Sequence, residues 1–110
     1  MNDTQIHDVI NSAFQAARTA TKQYLATHGD VDACGFVWVS IRPATKKVAK
    51  ILKNSYGAER IPFEGGLNLW NPSCSPVQSI SAKEEGAFAF VNVMREAFPD
   101  VTFTVGSRMD

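Results

Sequence analysis

Histidine and cysteine are scarce in this chain, two of each among 110 residues, and that scarcity limits its chemistry. His7 and His28 fall near opposite ends of one amphipathic stretch, while Cys34 and Cys74 stand far apart with no CxxC grouping. A tetrahedral zinc site needs short paired ligand spacings, which are missing, so neither a metal nor a cofactor is expected. Two free thiols in a reducing cytoplasm are the default reading, with one disulfide as the alternative. Cys34 itself reads as a small core hydrophobe on a strand. No GxSxG, P-loop, GxGxxG or HExxH pattern occurs. Glu84 and Glu85 are helix neighbours whose side chains diverge, better suited to complementing the helix dipole than to acid–base work. A non-enzymatic protein is expected.

Long apolar runs are also missing. None approaches the roughly 18–20 residues that a transmembrane helix requires. The start, MNDTQIHDVINS, has no basic segment ahead of an apolar one, so no secretory signal and no membrane association are expected. Net charge is absent as well: eleven basic residues balance eleven acidic ones, which leaves no global field to steer the molecule toward nucleic acid. The balance is uneven along the chain. The segment from Arg42 to Arg60 carries +5 and the remainder −5.

What is present is a globular pattern, 45% hydrophobic and 20% charged, of a length that suits a single domain over residues 1–110. Residues 3–28 place Ile6, Val9, Ile10, Ala13, Phe14, Ala17, Thr21, Tyr24 and Leu25 on one helical stripe, with Asp3 or Thr4 as cap and Gly29 as stop. Cys34–Ile41 (CGFVWVSI) is apolar on both faces, the mark of a central strand covered on both sides or of a strand at a packed interface. A second helix fits Lys46–Tyr56, capped by Thr45 and ended by Gly57. RIPFEGGLNLWNP then reads as two short strands around a Gly65-Gly66 turn. Ser81-Ala82-Lys83-Glu84 matches a capping box at the start of a third helix that ends before Pro99. Val101, Phe103 and Val105 alternate with threonines as a last half-buried strand. The predicted fold is α+β, in the order α-β-α-β-β-α-β: a small three- or four-stranded mixed or antiparallel sheet packed with three helices. An open sheet edge, or helix packing, would allow a homodimer.

Two surfaces are candidates for binding. Lys46, Lys50 and Lys53, flanked by Arg42 and Arg60, form a basic face that could hold phosphates of nucleic acid, or could be an ordinary solvated helix face. The second is the Gly65–Pro72 stretch. If Leu67 and Leu69 point inward, Asn68 and Trp70 point the other way. Trp70 beside Asn71 is then either an exposed interface anchor or a ring packed over a sheet edge.

The combination of ACGFVWV (Ala33–Val39), GGLNLWNP (Gly65–Pro72), AKEEGAFAF (Ala82–Phe90) and GSRMD (Gly106–Asp110) resembles a family of small, functionally uncharacterised bacteriophage proteins. Its members share a Cys-Gly-Phe strand, a Gly-Gly…Trp-Asn-Pro loop, a Lys-Glu-x-Gly-Ala helix start and a Ser-Arg-x-Asp ending. The likeness spans Ala33 to Asp110 and does not include the first helix; the lysine-rich second helix departs from the family pattern. The resemblance implies a setting, the cytoplasm of an infected bacterial host, rather than an activity; in that setting the leading expectation is an accessory protein that binds a host protein or complex to inhibit or redirect it. The shared motifs contain Trp70, Asn71, Lys83 and Arg108, and these, with Arg42 from outside the motifs, make one candidate locus for a partner. Two alternatives accompany this expectation: a small anionic ligand or nucleotide in a pocket beside Gly65–Pro72, where an arginine fork would suit a phosphate or carboxylate, and nucleic acid on the Lys46/Lys50/Lys53 face.

Overall fold

The computed structural model describes residues 1–62 and 65–110; Phe63 and Glu64, within the expected turn, lie outside them. The elements follow in the expected order: α1 (Asp3–His28), β1 (Gly35–Arg42), α2 (Lys47–Tyr56), β2 (Glu59–Arg60), β3 (Leu67–Trp70), α3 (Ile80–Ala97) and β4 (Thr102–Met109). The four strands form one sheet in the order β2-β3-β1-β4, and every pairing is antiparallel. Strands β1 and β2 therefore run the same way with β3 between them, and β3 and β4 do so with β1 between them. From β1 onward the chain is two interleaved split β-α-β units, to which α1 is added.

Alternation decides which side of the sheet is dry. Val37, Val39 and Ile41 of β1, Leu67 and Leu69 of β3, and Phe103 of β4 are buried under the helices, as period-two side-chain direction requires. Helices α1 and α3 run antiparallel in close contact. Thr21 donates to the Ala82 carbonyl at 2.7 Å near one end, and Phe14 meets Phe90 edge-on at 5.0 Å further along. Phe14 also stacks on Tyr56 of α2 at 5.6 Å, so a single ring joins all three helices. Gly86 permits the closeness of α1 and α3. A β-carbon there would lie 3.0 Å from the Ala17 carbonyl oxygen and 2.9 Å from the Ser73 β-carbon.

Helix starts differ from those expected. Asn2, not Asp3 or Thr4, caps α1 by accepting from the Gln5 N–H at 2.8 Å, while the Gln5 side chain accepts from the Asn2 N–H at 2.9 Å. Lys46 stands at the cap position of α2 in place of Thr45, and its side chain makes no capping hydrogen bond. For α3 the cap is Ser79 rather than Ser81; it accepts from the Ala82 N–H at 3.1 Å. The cause is a tertiary constraint. Ser79 bridges Cys34, Ile80 donates to the Ala33 carbonyl at 2.9 Å, and the Ser79 N–H is held by Asp30 at 2.7 Å. With its entry pinned there, the helix begins immediately after Ser79.

Two further corrections concern the strands. β4 runs on to Met109 because Gly106, Ser107, Arg108 and Met109 pair in register with Trp38, Val37, Phe36 and Gly35. Cys34 is exposed rather than a core hydrophobe, its thiol 3.2 Å from the Gln78 side-chain oxygen, and both cysteines are free. At the outer edge of the sheet, Arg95 of α3 donates to the Phe103 carbonyl through Nε at 3.0 Å and Nη2 at 2.7 Å. No helix among the described residues is long and apolar enough to cross a membrane.

Candidate binding face on the open side of the sheet

All three helices contribute to the core on one side of the sheet, and the opposite side of β1 is open, so of the two readings of its double-faced apolar pattern the one with cover on both sides does not hold. Phe36 is 43% exposed and Trp70 49% exposed. The alternation that buries Val37 and Val39 turns Phe36, Trp38 and Ser40 outward. In the same way, burial of Leu67 and Leu69 turns out Asn68 and Trp70. Trp38 and Trp70 are direct cross-strand partners, with ring centroids 5.2 Å apart and planes tilted by 53°. On its other flank Trp38 faces Gly106 of β4, where a β-carbon would fall inside the indole. The ring therefore lies across the bare backbone of β4.

Phe36 is paired with Arg108, whose guanidinium carbon sits 5.5 Å from the ring centroid, within the range of a cation–π contact. Beyond the tryptophans, the Ser40 hydroxyl donates to the Asn68 side-chain oxygen at 3.1 Å. Arg42 ends β1 on this same side, its stem against Gly66. The face thus holds three aromatic rings, an amide–hydroxyl pair and arginines toward both ends of the central strand.

The predicted locus is accordingly divided. Trp70 and Arg108 share the open face on either side of β1, with Arg42 at its far end. Asn71 does not point with them. It adopts φ 44°, a left-handed conformation that asparagine tolerates, and its side chain shapes the loop. Its amide donates to the Ser75 carbonyl at 2.9 Å and its oxygen accepts from the Ser73 hydroxyl at 3.0 Å. Lys83 reaches from α3 to the Gly35 carbonyl at 2.9 Å and so ties helix to strand on the other side of the sheet. Phe36 and Trp38 were absent from the predicted site. The signal for them was the alternation itself, which places both on the side of β1 opposite the aliphatic residues.

The basic face is elsewhere. α2 buries Val48, Ala49 and Leu52 in the core, so Lys46, Lys50 and Lys53 lie on the helical side of the sheet, away from the rings. Lys46 pairs with Asp100 at 3.1 Å, and its neighbour Lys47 with Asp3 at 2.8 Å. Hydrogen bonding to these lysines holds both aspartates below the usual carboxylate range, followed by charge attraction to Lys47 at Asp3 and by a backbone hydrogen bond at Asp100. Lys50, Lys53 and Arg60 are exposed. Beside the loop that follows Trp70, a hollow of about 460 Å³ is walled by Arg18 and Lys22 of α1 and by Ser73 and Ser75. Among the described residues no group of three or more His, Cys, Asp or Glu side chains could hold a metal ion. His7 meets the Tyr56 hydroxyl at 2.7 Å, and His28 stacks on Tyr24 at 4.3 Å.

Compared with known proteins, the chain matches no family model, no curated protein and no solved structure.

Proposed function

We propose that this protein acts by binding rather than catalysis, and that its working surface is the open face of the sheet. The observation that carries this reading is the pair Trp38–Trp70, set directly opposite each other on the two central strands and left outside the core. Large rings on a surface strand cost solubility without adding to the core, and aromatic anchors are what binding surfaces are enriched in. The resemblance to small bacteriophage proteins supplies the setting: an accessory protein in the cytoplasm of an infected bacterium, taking hold of a host component and inhibiting or redirecting it. The basic face of α2 contributes less to this reading, because two of the lysines around its start are already paired with aspartates.

The test is a comparison of wild-type protein with Trp70→Ala as bait in host lysate. Truncating a half-exposed ring in an aromatic pair is expected to cost about 1 kcal/mol of stability, against about 3–5 kcal/mol for the fully buried Phe90→Ala. Trp70→Ala should therefore keep its circular dichroism and cooperative melting while losing the captured component. Unchanged capture by a folded Trp70→Ala protein would remove the face from consideration.

A further inference from the structure

We infer that the occupant of the open face is an unpaired nucleic-acid strand, its bases stacked on Trp70, Trp38 and Phe36 and a backbone phosphate held by Arg108; this rests on the reading of that face as the working surface. The geometry meets each requirement of such a ligand. Single-strand binding needs ring surfaces that accept any base, together with cations beside them for the backbone. Trp38 and Trp70 present rings from adjacent central strands, and Phe36 lies two residues from Trp38, about 7 Å along the strand. Neighbouring bases of an extended strand can therefore each meet a ring. A four-stranded antiparallel sheet with stacking residues on its central strands is a recurrent platform for unpaired bases.

Charge points to the same occupant. Arg108 stands over Phe36, so its planar fork is placed beside a stacking position, where a phosphate can be gripped at two points. Among the described residues the register puts no carboxylate between the rings; Glu59, opposite Asn68, and Asp110, near Arg108, stand at the margins. The Ser40–Asn68 pair leaves the Asn68 amide nitrogen as a donor for a base edge or a sugar hydroxyl. A second copy of this chain suits the face less well, since among the described residues it would offer Arg108 only the marginal carboxylates Glu59 and Asp110. A duplex suits it poorly too, because its base faces are already stacked on one another.

The chain contains only two tryptophans, and both are on this face, so intrinsic emission reports on it directly. Titration with oligothymidylate and oligouridylate of about 12 nucleotides should quench that emission saturably, with one arm each for DNA and RNA. A duplex of matched length should bind at least tenfold more weakly. Trp70→Ala should weaken single-strand binding about tenfold, while Trp70→Phe, which keeps a ring, should retain most of it. Arg108→Ala, at an exposed position, should reduce the slope of log affinity against log salt by about one. Equal affinity for duplex, or undiminished binding by both alanine variants, would overturn the inference. So would silent emission with every oligonucleotide. If emission is silent but wild-type protein, unlike Trp70→Ala, still retains a protein from nuclease-treated lysate, the strand is excluded and the binding face stands. If that retention is also missing, both readings fall.

Discussion

Trp38 owes its position to a neighbour without a side chain. Gly106 lies beneath its indole, so replacement by alanine must lift the ring or push β4 aside. Because this side of the sheet faces solvent, the indole has room to swing away, and the cost should stay near the low end for overpacking, about 1 kcal/mol. Gly106→Ala is therefore expected to shift the urea midpoint slightly and to move tryptophan emission clearly, since it disrupts the Trp38–Trp70 contact. A large loss of stability with unchanged emission would show that the ring does not rest there. Nearby, Asn71 illustrates how a conspicuous polar residue can serve its own loop. Its left-handed φ and its bonds to Ser73 and Ser75 turn the chain after Trp70, and Trp70 faces outward just before that turn.

Helices α1 and α3 meet across small residues, Ala13, Ala17 and Thr21 on one side and Ala82, Gly86 and Ala87 on the other, all of them buried. Here the same glycine-to-alanine change should behave differently. The atoms that a Gly86 β-carbon would meet include a backbone carbonyl and a β-carbon, neither of which can rotate away. Gly86→Ala should cost about 1–3 kcal/mol or more, read as a lower melting temperature with little change in tryptophan emission. Of these elements, the helices were the most legible in sequence, because i, i+3, i+4 spacing marks a buried stripe without outside help. Their starts were less so. Ser81 offered a better local capping motif than Ser79, but the backbone contacts of residues 79 and 80 with Ala33, Cys34 and Asp30 decided the matter, and those contacts join residues nearly fifty positions apart.

Across the whole molecule, aspartates fasten separate parts of the chain. Asp3 ties α1 to Lys47 at the start of α2, and Asp100 ties the segment after α3 to Lys46. Asp32, after α1, is held below its usual value first by the Ser79 side chain and then by Ser81, with Tyr24 contributing from 3.0 Å. Each carboxyl is more acidic in the folded protein than in the unfolded chain, whose aspartates titrate near about 3.9. Their stabilisation is complete above that value and is lost as pH falls through the lower folded values, where the unfolded chain binds the proton first. The melting temperature should therefore be level near neutrality and drop below about pH 4, and Asp32→Asn should flatten the drop. Since the Lys46 and Lys47 pairs are exposed, added salt should weaken their share.

At this scale the fold class and the order of elements were readable, and the openness of the sheet was not. A strand with Phe36 and Trp38 on one side and Val37, Val39 and Ile41 on the other has the pattern of one buried on both sides or of one at a packed interface. Only the placement of all three helices against the aliphatic side distinguishes the cases. The length of β4 was hidden for another reason: Gly106, Ser107 and Arg108 have little strand preference, and pairing with β1 recruits them.

Arg95 bears on how such a sheet stays dispersed. β4 is a full-length edge strand, and edges of this kind invite unrelated chains to add on and propagate into fibrils. With two guanidinium hydrogens lodged on the Phe103 carbonyl, a positive charge occupies the start of that edge and one of its acceptors is engaged. An incoming strand would have to displace the arginine before it could pair along that end of the strand. At the other end of the sheet, β2 is only two residues long, too short to serve as a template. The domain can thus keep its aromatic face in water while its margins resist growth.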